Sequence, residues 1–181
     1  MTLLKQTIVW SKMESPVGLL TLAASTNGLC YLTFNKKNNS EVGLDIWLNH
    51  WLRNVKLEYN EVETLPYIEQ MIQYFAGERK IFDMPVALYG TPFQKMVWNQ
   101  LTTIPYGEVR SYKEVAQGIG SPKAVRAVGG ANNKNPISIV VPCHRVIGSN
   151  GSLVGYGGGM ENKKFLLSLE GFQSKVKHNH N

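Results

Sequence analysis

The second half of the chain carries three closely spaced helix-start signals, and they constrain the fold more than any other feature. Thr91-Pro92-Phe93-Gln94 supplies an N-cap, a proline at the first helical position and a capping-box glutamine. Ser111-Tyr112-Lys113-Glu114 is a second capping box, whose helix should end at Gly118 or Gly120, and Ser121-Pro122 then starts another helix. Two short helices joined by a tight glycine turn predict a helix-turn-helix.

The first half of the chain has strand periodicity instead. Alternating apolar and polar residues over 7–13, 19–23 and 29–34, separated by turn residues, predict a small antiparallel meander. Two amphipathic helices should follow, the first with Val42, Ile46, Trp47, Leu48 and Trp51 on its apolar face and the second with Leu65, Ile68, Ile72 and Phe75. Nothing before position 81 has the spacing of a site, so we interpret this half as a scaffold.

These patterns predict an α/β (α+β) protein of two domains. Residues 1–84 would form a small strand-rich scaffold domain, residues 90–171 a mostly helical domain with the helix-turn-helix, and residues 172–181 a flexible basic tail. The segment 77–89, with Pro85 inside it, would be the linker. A chain of 181 residues is long enough to bury a proper core, and we expect it to be a monomer.

The N-terminus, the hydropathy pattern and the cysteine count bear on the compartment. Residues 1–5 lack the residue succession of a signal peptide, and no apolar run approaches membrane-spanning length. Two cysteines, Cys30 and Cys143, are too few for a disulfide framework, and no close His or Cys spacing indicates a zinc site. We therefore expect an intracellular protein, cytoplasmic or, in a eukaryote, nuclear, with reduced thiols, no membrane contact and no metal.

Cys143 is followed directly by His144 and Arg145, and this order suits a nucleophile. A free thiol titrates at about 8.5 and attacks as the thiolate, so a neighbouring imidazole and a positive charge favour its reactivity. The apolar run 137–141 predicts a short buried strand that Pro142 terminates, which would hold Cys143 at a strand end. The alternative is that Cys143 is a small buried hydrophobic residue, the usual fate of a free cysteine.

The net charge of +6 is distributed unevenly along the chain. Residues 1–89 carry 8 basic and 9 acidic side chains, a net charge of −1, whereas residues 90–171 carry 9 and 4, a net charge of +5. The excess positive charge therefore lies with the cysteine, as a polyanionic partner such as nucleic acid would require. A solvated basic surface is the alternative.

The second helix of the helix-turn-helix has an unusual face. Lys123, Arg126, Ala127 and Gly130 fall at i, i+3, i+4 and i+7, so they share one side. Recognition helices that enter the major groove present long polar side chains, whereas this face is bare apart from two cations. Such a face could approach the narrower minor groove, where little sequence can be read. Equally, its small residues could allow close packing against another helix.

Residues 91–171 resemble the catalytic domain of O6-methylguanine-DNA methyltransferases, which repair alkylated DNA by moving the alkyl group onto their own cysteine. The similar segments are residues 104–109, 111–112, 126–131, 135–136, 142–146 and 166–171. Residues 15–18 resemble the small α/β domain of the family more loosely. The resemblance implies double-stranded DNA with O6-alkylguanine, and less efficiently O4-alkylthymine, as the partner. It also implies a single irreversible transfer per chain, without a cofactor.

The resemblance further implies catalytic roles. Cys143 would be the acceptor nucleophile, and His144 would remove the thiol proton through a bridging water. Glu170 would orient and charge that histidine, and the hydrogen bonds of Asn135 would hold the site together. Tyr112 would help to rotate the damaged nucleotide out of the stack and would donate a proton or hydrogen bond to the departing guanine.

The resemblance also implies two sets of binding residues. The DNA-binding residues would be Lys123, Arg126, Ala127, Gly129, Gly130, Tyr112 and Arg145, with Arg126 filling the space that the base vacates. The base pocket would be formed by Tyr156, Gly157, Gly158 and Val146. Some members of the family have a serine where Gly157 stands, and some have a zinc site near Ala24 and Cys30, where this sequence has a lone cysteine.

Two other functions compete with alkyl transfer. A damage-binding module of the alkyltransferase-like type would flip damaged bases without reacting, but such proteins lack the cysteine that stands here at position 143. A cysteine hydrolase could use Cys143 and His144 on an acyl substrate, but the helix-turn-helix and the concentrated positive charge argue against it.

Overall fold

The structure, a computed structural model that describes residues 6–35 and 40–172, has a four-stranded sheet in its N-terminal half. The strands lie in the order β3-β2-β1-β4, with bounds of Gln6–Met13 for β1, Leu20–Ser25 for β2, Gly28–Phe34 for β3 and Val55–Tyr59 for β4. The first three strands pair antiparallel, which confirms the predicted meander. The predicted basic tail lies outside the described residues beyond Phe172.

The fourth strand, β4, was missed in the sequence. It pairs in parallel with β1 after a crossover through the helix α1, Ser40–Trp51. Its five residues are half-buried or exposed, so they lack the clean apolar alternation that identifies a strand. The sheet is therefore mixed, with three antiparallel strands and one parallel edge strand.

The helix α2, Glu61–Phe75, confirms the second predicted helix and half of its predicted apolar face, since Ile68 and Phe75 pack against the core. Leu65 and Ile72 are about half exposed, whereas Thr64 and Tyr74 are fully buried. Both buried residues are polar and hydrogen-bonded, Thr64 to Ser11 in β1 and Tyr74 across the molecule. Because a satisfied polar group can be buried, the helix is rotated away from the face that its apolar residues predict.

The C-terminal half is mostly helical, as predicted. Its helices are α3 Pro92–Thr102, α4 Tyr112–Gly118, α5 Val125–Asn133 and α6 Met160–Leu169, and two short parallel strands, β5 Arg110–Ser111 and β6 Val146–Ile147, lie between them. Both predicted capping boxes are present at the starts of α3 and α4.

The helices α4 and α5 form the predicted helix-turn-helix, but α5 begins later than expected. Residues 121–124 form a turn in which the Ala124 N–H donates to the Ser121 carbonyl at 2.8 Å, and the helix starts at Val125. Ser121-Pro122 therefore opens the turn and not the helix.

The apolar run 137–141 was wrongly predicted as a strand. It is a tight buried turn, in which Ile139 has a φ of +72° and the Val141 N–H donates to the Ile137 carbonyl at 3.0 Å. The side chain of Asn135 closes the turn, since it accepts from the Ile137 N–H at 3.0 Å and donates to the Val141 carbonyl at 2.8 Å. Only the start of the run pairs with a strand, because the Ser138 N–H donates to the Leu32 carbonyl of β3 at 2.8 Å. Continuous burial is common to strands and to other core segments, so the run alone could not distinguish them.

A single large core cluster joins the two halves of the chain. It includes Leu22 and Met71 from the N-terminal half and Trp98, Val128 and Leu166 from the C-terminal half. A smaller cluster packs α1 against the other face of the sheet. The two halves are thus held in a fixed relation, which places residues of β3 and α2 beside the C-terminal half.

The predicted linker, residues 77–89, is not a free connection between domains, because part of it is hydrogen-bonded to β3. The Leu29 N–H donates to the Pro85 carbonyl at 2.9 Å, and the Ala87 N–H donates to the Leu29 carbonyl at 2.8 Å. Gly28 permits this approach, because a Cβ at that position would lie 2.4 Å from the Pro85 oxygen. Within residues 6–35 and 40–172, no helix is long and apolar enough to cross a membrane.

Candidate active site

Cys143 opens a single 3-10 turn, Cys143–Arg145, and lies at the wall of a cavity of about 220 Å³. Only 4% of the residue is exposed. The cavity is lined by Tyr31, Thr33 and Phe34 of β3, by Asn132, Asn133, Asn135 and Ser138, and by Tyr156, Gly157 and Gly158. The thiol can therefore react only with a group that enters this cavity.

His144 is fully buried and contacts Glu170. Its Nε2 lies 2.8 Å from Oε1 of Glu170. Burial by itself raises the pKa of Glu170, but hydrogen bonds from His144 and Arg145 and their charges outweigh it and lower the pKa to about 2. The carboxylate can only accept, so Nε2 of His144 carries a proton.

The imidazole of His144 is neutral at rest. Burial lowers the pKa of His144 below its ordinary value, and the contact with Glu170 opposes burial only in part. With the proton on Nε2, the lone pair is on Nδ1, and this nitrogen is buried with no hydrogen-bond partner in the described protein. Glu170 therefore orients the ring at rest, and the ring can become charged when it receives a proton.

Arg145 was predicted among the DNA-binding residues, but its side chain faces the protein interior. Only 6% of the residue is exposed, and its guanidinium is bound on three sides within the protein. Nε and Nη2 donate to the two oxygens of Glu170 at 2.8 and 2.9 Å, and Nη1 donates to the Ile104 carbonyl at 2.6 Å. Arg145 neutralises the buried carboxylate, a role that its place in the sequence does not reveal.

The thiol of Cys143 is protonated at rest. Burial raises its pKa, while the hydrogen bond with Asn135 and the charge of Lys163 act in the opposite direction. Burial also lowers the pKa of Lys163 to about 8. Because burial disfavours the thiolate, reaction at Cys143 requires a base beside it.

Lys163, in α6, was missed in the sequence. It is a fully buried cation whose Nζ donates to the carbonyls of Val146 at 2.5 Å and Val154 at 3.0 Å. These carbonyls flank the turn that leads to the cavity loop around Tyr156, so Lys163 ties the two ends of this turn together. No periodicity distinguishes a buried lysine from an exposed one.

Val146 was predicted to form part of the base pocket, but its side chain lies in the core and not at the cavity. It is fully buried, pairs with Arg110 across β5 and β6, and does not line the cavity. Tyr156, Gly157 and Gly158 do line the cavity. A Cβ on Gly158 would lie 2.5 Å from the ring of Phe34, so only glycine fits there.

Tyr112 and Asn135 lie close to the nucleophile. Burial, and next the Cys143 thiol, raise the pKa of Tyr112, so its phenol is a hydrogen-bond donor. Its ring lies against α5, since a Cβ on Gly129 would be 3.8 Å from the ring. Asn135 holds the turn of residues 137–141 in place, and Asn132 donates to the Cys143 carbonyl at 3.4 Å.

The small-residue face of α5 is exposed, and the described residues do not cover it with another helix. Lys123, Arg126, Ala127 and Gly130 are all exposed, and nothing lies within 4 Å of a Cβ built on Gly130. Close packing against another helix, the alternative that the spacing left open, is therefore not adopted within residues 6–35 and 40–172. The face remains available to a partner.

The scaffold interpretation of the first half was too simple. Tyr31, Thr33 and Phe34 of β3 line the cavity, and Tyr74 of α2 donates to Glu170 at 2.7 Å. These residues look like ordinary strand and helix residues in the sequence. Among the described residues, no group of three His, Cys, Asp or Glu side chains is placed to hold a metal ion.

Comparisons with known proteins agree with this geometry. The family model described as 6-O-methylguanine DNA methyltransferase, ribonuclease-like domain, matches residues 8–88, and the one described as 6-O-methylguanine DNA methyltransferase, DNA binding domain, matches residues 92–172. The chain is 52% identical over 159 residues to a methylated-DNA–protein-cysteine methyltransferase of Methanosarcina acetivorans, covering 87% of this chain and 95% of the relative. It is 44% identical over 171 residues to the constitutive enzyme of that name in Bacillus subtilis, covering 93% and 98%.

Solved structures are similar as well. The O6-methylguanine methyltransferase of Mycobacterium tuberculosis is 45% identical, with a TM-score of 0.77 over 90% of this chain and 92% of that one. A structure of Mycobacterium tuberculosis OGT in complex with DNA is 43% identical, with the same TM-score and coverage.

Proposed function

The chain belongs to the 6-O-methylguanine DNA methyltransferase family, whose activity is the repair of DNA by alkyl transfer to a protein cysteine, and we propose that Cys143 is the acceptor. The observation that carries the proposal is the position of Cys143 on the cavity wall, directly before a neutral His144 that Glu170 orients. The other cysteine, Cys30, is buried in the second core cluster, and burial raises its pKa to about 12.

Proton removal from Cys143 proceeds through His144. Nδ1 is the free basic position of the ring, and it takes the thiol proton through a bridging water. The imidazolium that results is stabilised by the carboxylate of Glu170, as in other nucleophile, base and orienter arrangements. The buried, protonated thiol thus becomes a thiolate only when Nδ1 of His144 can accept the proton.

The thiolate then attacks the alkyl carbon on O6 of guanine. The new bond joins Sγ to that carbon, the bond between carbon and O6 breaks, and its electron pair stays on the guanine. Tyr112 donates a hydrogen bond or proton to the departing base. The product is a thioether, which nothing in the site hydrolyses, so each chain acts once.

The damaged base must leave the duplex to react. Because only 4% of Cys143 is exposed, a stacked base has no access to the thiol, and the enzyme flips the nucleotide into the cavity. The exposed face of α5 enters the minor groove, with Ala127, Gly129 and Gly130 close to the backbone and Lys123 on a phosphate. Arg126 fills the space that the base leaves.

The cavity loop holds the flipped base. Tyr156 forms one wall, and the backbone of Gly157 and Gly158 contacts the purine. O4-alkylthymine is a second, less efficient substrate, since it presents the same alkyl–oxygen bond on a smaller ring.

We assign DNA binding and transfer to residues 90–171 and a supporting role to residues 1–84, and we expect a monomer in the compartment that contains DNA.

Intact-protein mass spectrometry tests the proposal. The protein is mixed with a duplex that contains one O6-methylguanine, and the Cys143→Ala and Cys30→Ala variants are treated in parallel. We expect a gain of one methylene per chain in the wild type and in Cys30→Ala, and no gain in Cys143→Ala. Tight binding to the lesion without any mass gain would instead support a damage-binding module, and a gain in Cys143→Ala would exclude Cys143 as the acceptor.

A further inference from the structure

We propose that Tyr74, in α2 of the N-terminal half, is a positioning residue that tunes the base His144 through Glu170. The inference rests on the proposed function, because it concerns the histidine that takes the thiol proton. Tyr74 lies 96 residues from Glu170 in sequence, and the hydrogen bond between them joins the two halves of the chain inside the core.

Three donors share one oxygen of the Glu170 carboxylate. Oε1 accepts from the Tyr74 hydroxyl at 2.7 Å, from His144 Nε2 at 2.8 Å and from Arg145 Nη2 at 2.9 Å. The other oxygen accepts from Arg145 Nε at 2.8 Å and from the Gly107 N–H at 3.3 Å. The imidazole therefore competes with a phenol and a guanidinium for the charge on Oε1.

The hydroxyl of Tyr74 is a fixed donor. The residue is fully buried, and its ring packs against Phe75, Phe82 and Tyr106 at centroid distances of 5.4, 5.3 and 6.2 Å. Burial, and next the charge of Glu170, raise the pKa of Tyr74, so the phenol keeps its proton. A buried hydroxyl without a partner would be costly, which keeps this one on the carboxylate.

The hydrogen bond of Tyr74 favours the neutral form of His144. A donor on Oε1 disperses the negative charge that would otherwise stabilise the imidazolium. Arg145 and Lys163 also disfavour the imidazolium, whereas Glu170 favours it, and these are the charged groups that face the ring. Tyr74, Tyr106 and Tyr156 are the titratable phenols around this network, and all remain protonated, since the pKa of each is raised.

The Tyr74→Phe variant removes this donor and preserves the ring. The rate constant for methyl transfer to Cys143 is measured under single-turnover conditions, with saturating lesion duplex, across the pH range. Without the phenol, the imidazolium of His144 becomes more stable. The pH at which the rate constant declines on the acid side, the acid limb, therefore moves up by about half a unit. The rate constant below the limb then falls about threefold, and the plateau at higher pH is unchanged.

Tyr106→Phe is the matched control. Tyr106 lies in the same cluster, but its hydroxyl donates to the Leu169 carbonyl at 3.0 Å and not to the carboxylate of Glu170. The acid limb of the Tyr106→Phe variant should coincide with that of the wild type. A merely structural role of Tyr74 would lower the fraction of chains methylated at completion, but it would leave the pH dependence of the rate constant unmoved, and that result would overturn the proposal.

A second variant keeps the proposal testable if Tyr74→Phe does not fold correctly. Incorporation of 3-fluorotyrosine at position 74 preserves the packing and strengthens the donor, so the acid limb should move to lower pH. If the acid limb of this variant stays at the wild-type pH or moves to higher pH, the tuning role is rejected. The wild-type protein distinguishes failure of the proposed function from failure of the tuning role. If the proposed function is wrong, Cys143 of the wild type is not methylated. If only the tuning role is wrong, Cys143 is still methylated.

Discussion

Oε1 of Glu170 lies 2.8 Å from Nε2 of His144, and both side chains are fully enclosed although 26 residues separate them in the chain. The contact places the ring proton on Nε2 and leaves Nδ1 as the basic nitrogen. It also places a negative charge in the core, which Arg145 neutralises through two hydrogen bonds. Orientation of the base and stability of the core therefore depend on the same carboxylate.

The Glu170→Gln variant should lose both stability and activity. Removal of the charge leaves the buried guanidinium of Arg145 without a counter-ion, and breaking a buried pair costs about 3 to 5 kcal/mol. We expect the free energy of unfolding, measured by urea denaturation, to fall by about that amount. Glu161→Gln, which removes an exposed partner of Lys164, is the control and should change little. Equal losses in the two variants would contradict the role of the buried pair.

Stability should fall steeply in acid because of Glu170. Its pKa is about 2 in the folded protein, against about 4.3 in an unfolded chain. Since the folded pKa is depressed, the carboxylate contributes stability above about pH 4.3, and this contribution is lost as the pH falls towards 2. The loss amounts to at most about 3 kcal/mol. Urea midpoints measured between pH 6 and pH 3 check this, and the decline should be shallower in Glu170→Gln.

The Gly158→Ala variant should damage the cavity. The added methyl group would lie 2.5 Å from the ring of Phe34 and 2.7 Å from that of Tyr156, so both rings must move. Overpacking of this kind costs about 1 to 3 kcal/mol, and the displaced rings should slow methyl transfer. In Gly157→Ala the nearest atom, Oδ1 of Asn133, is 3.4 Å away, so both losses should be smaller. The reverse order would show that Phe34 does not limit the cavity.

The Arg126→Ala variant should impair repair of duplex DNA without impairing the chemistry. Arg126 is exposed on α5 and would offset part of the cost of unstacking, which is a few kcal/mol. We expect the transfer rate from a lesion duplex to fall about tenfold or more, with no change in the melting temperature. Transfer from the free O6-methylguanine nucleoside should be unchanged, because no base is flipped. An equal loss on both substrates would instead place Arg126 in the chemical step.

The Lys123→Ala variant should weaken binding through charge alone. Lys123 is exposed in the turn before α5, where a phosphate contact is proposed. Loss of one phosphate contact reduces the slope of log affinity against log salt concentration by about 0.9. Binding to duplexes measured at several salt concentrations checks this, with and without the lesion. An unchanged slope would exclude contact between Lys123 and the DNA backbone.

Several features of this protein follow from local chemistry and can be recognised in the sequence. The capping boxes at Thr91 and Ser111 involve residues three apart, so the sequence contains the whole interaction. The cap at Ser111 and the glycines at 118 and 120 mark the first helix of the helix-turn-helix and the turn after it, whereas the second helix begins at Val125 without a side-chain cap. The adjacency of Cys143 and His144, and the bare face that includes Arg126, likewise depend only on the order of neighbouring residues.

The tertiary structure decided which polar residues are buried and with what partners. Arg145 stands beside the cysteine and was predicted to bind DNA, yet it faces inward to Glu170. Tyr74 and Lys163 have no distinctive sequence pattern, and each is buried because a distant oxygen satisfies it. The apolar run 137–141, which Asn135 folds into a turn, is likewise tied to a distant strand, because the Ser138 N–H donates to the Leu32 carbonyl of β3. Such pairings join residues far apart in the chain, and only the packed fold brings them together.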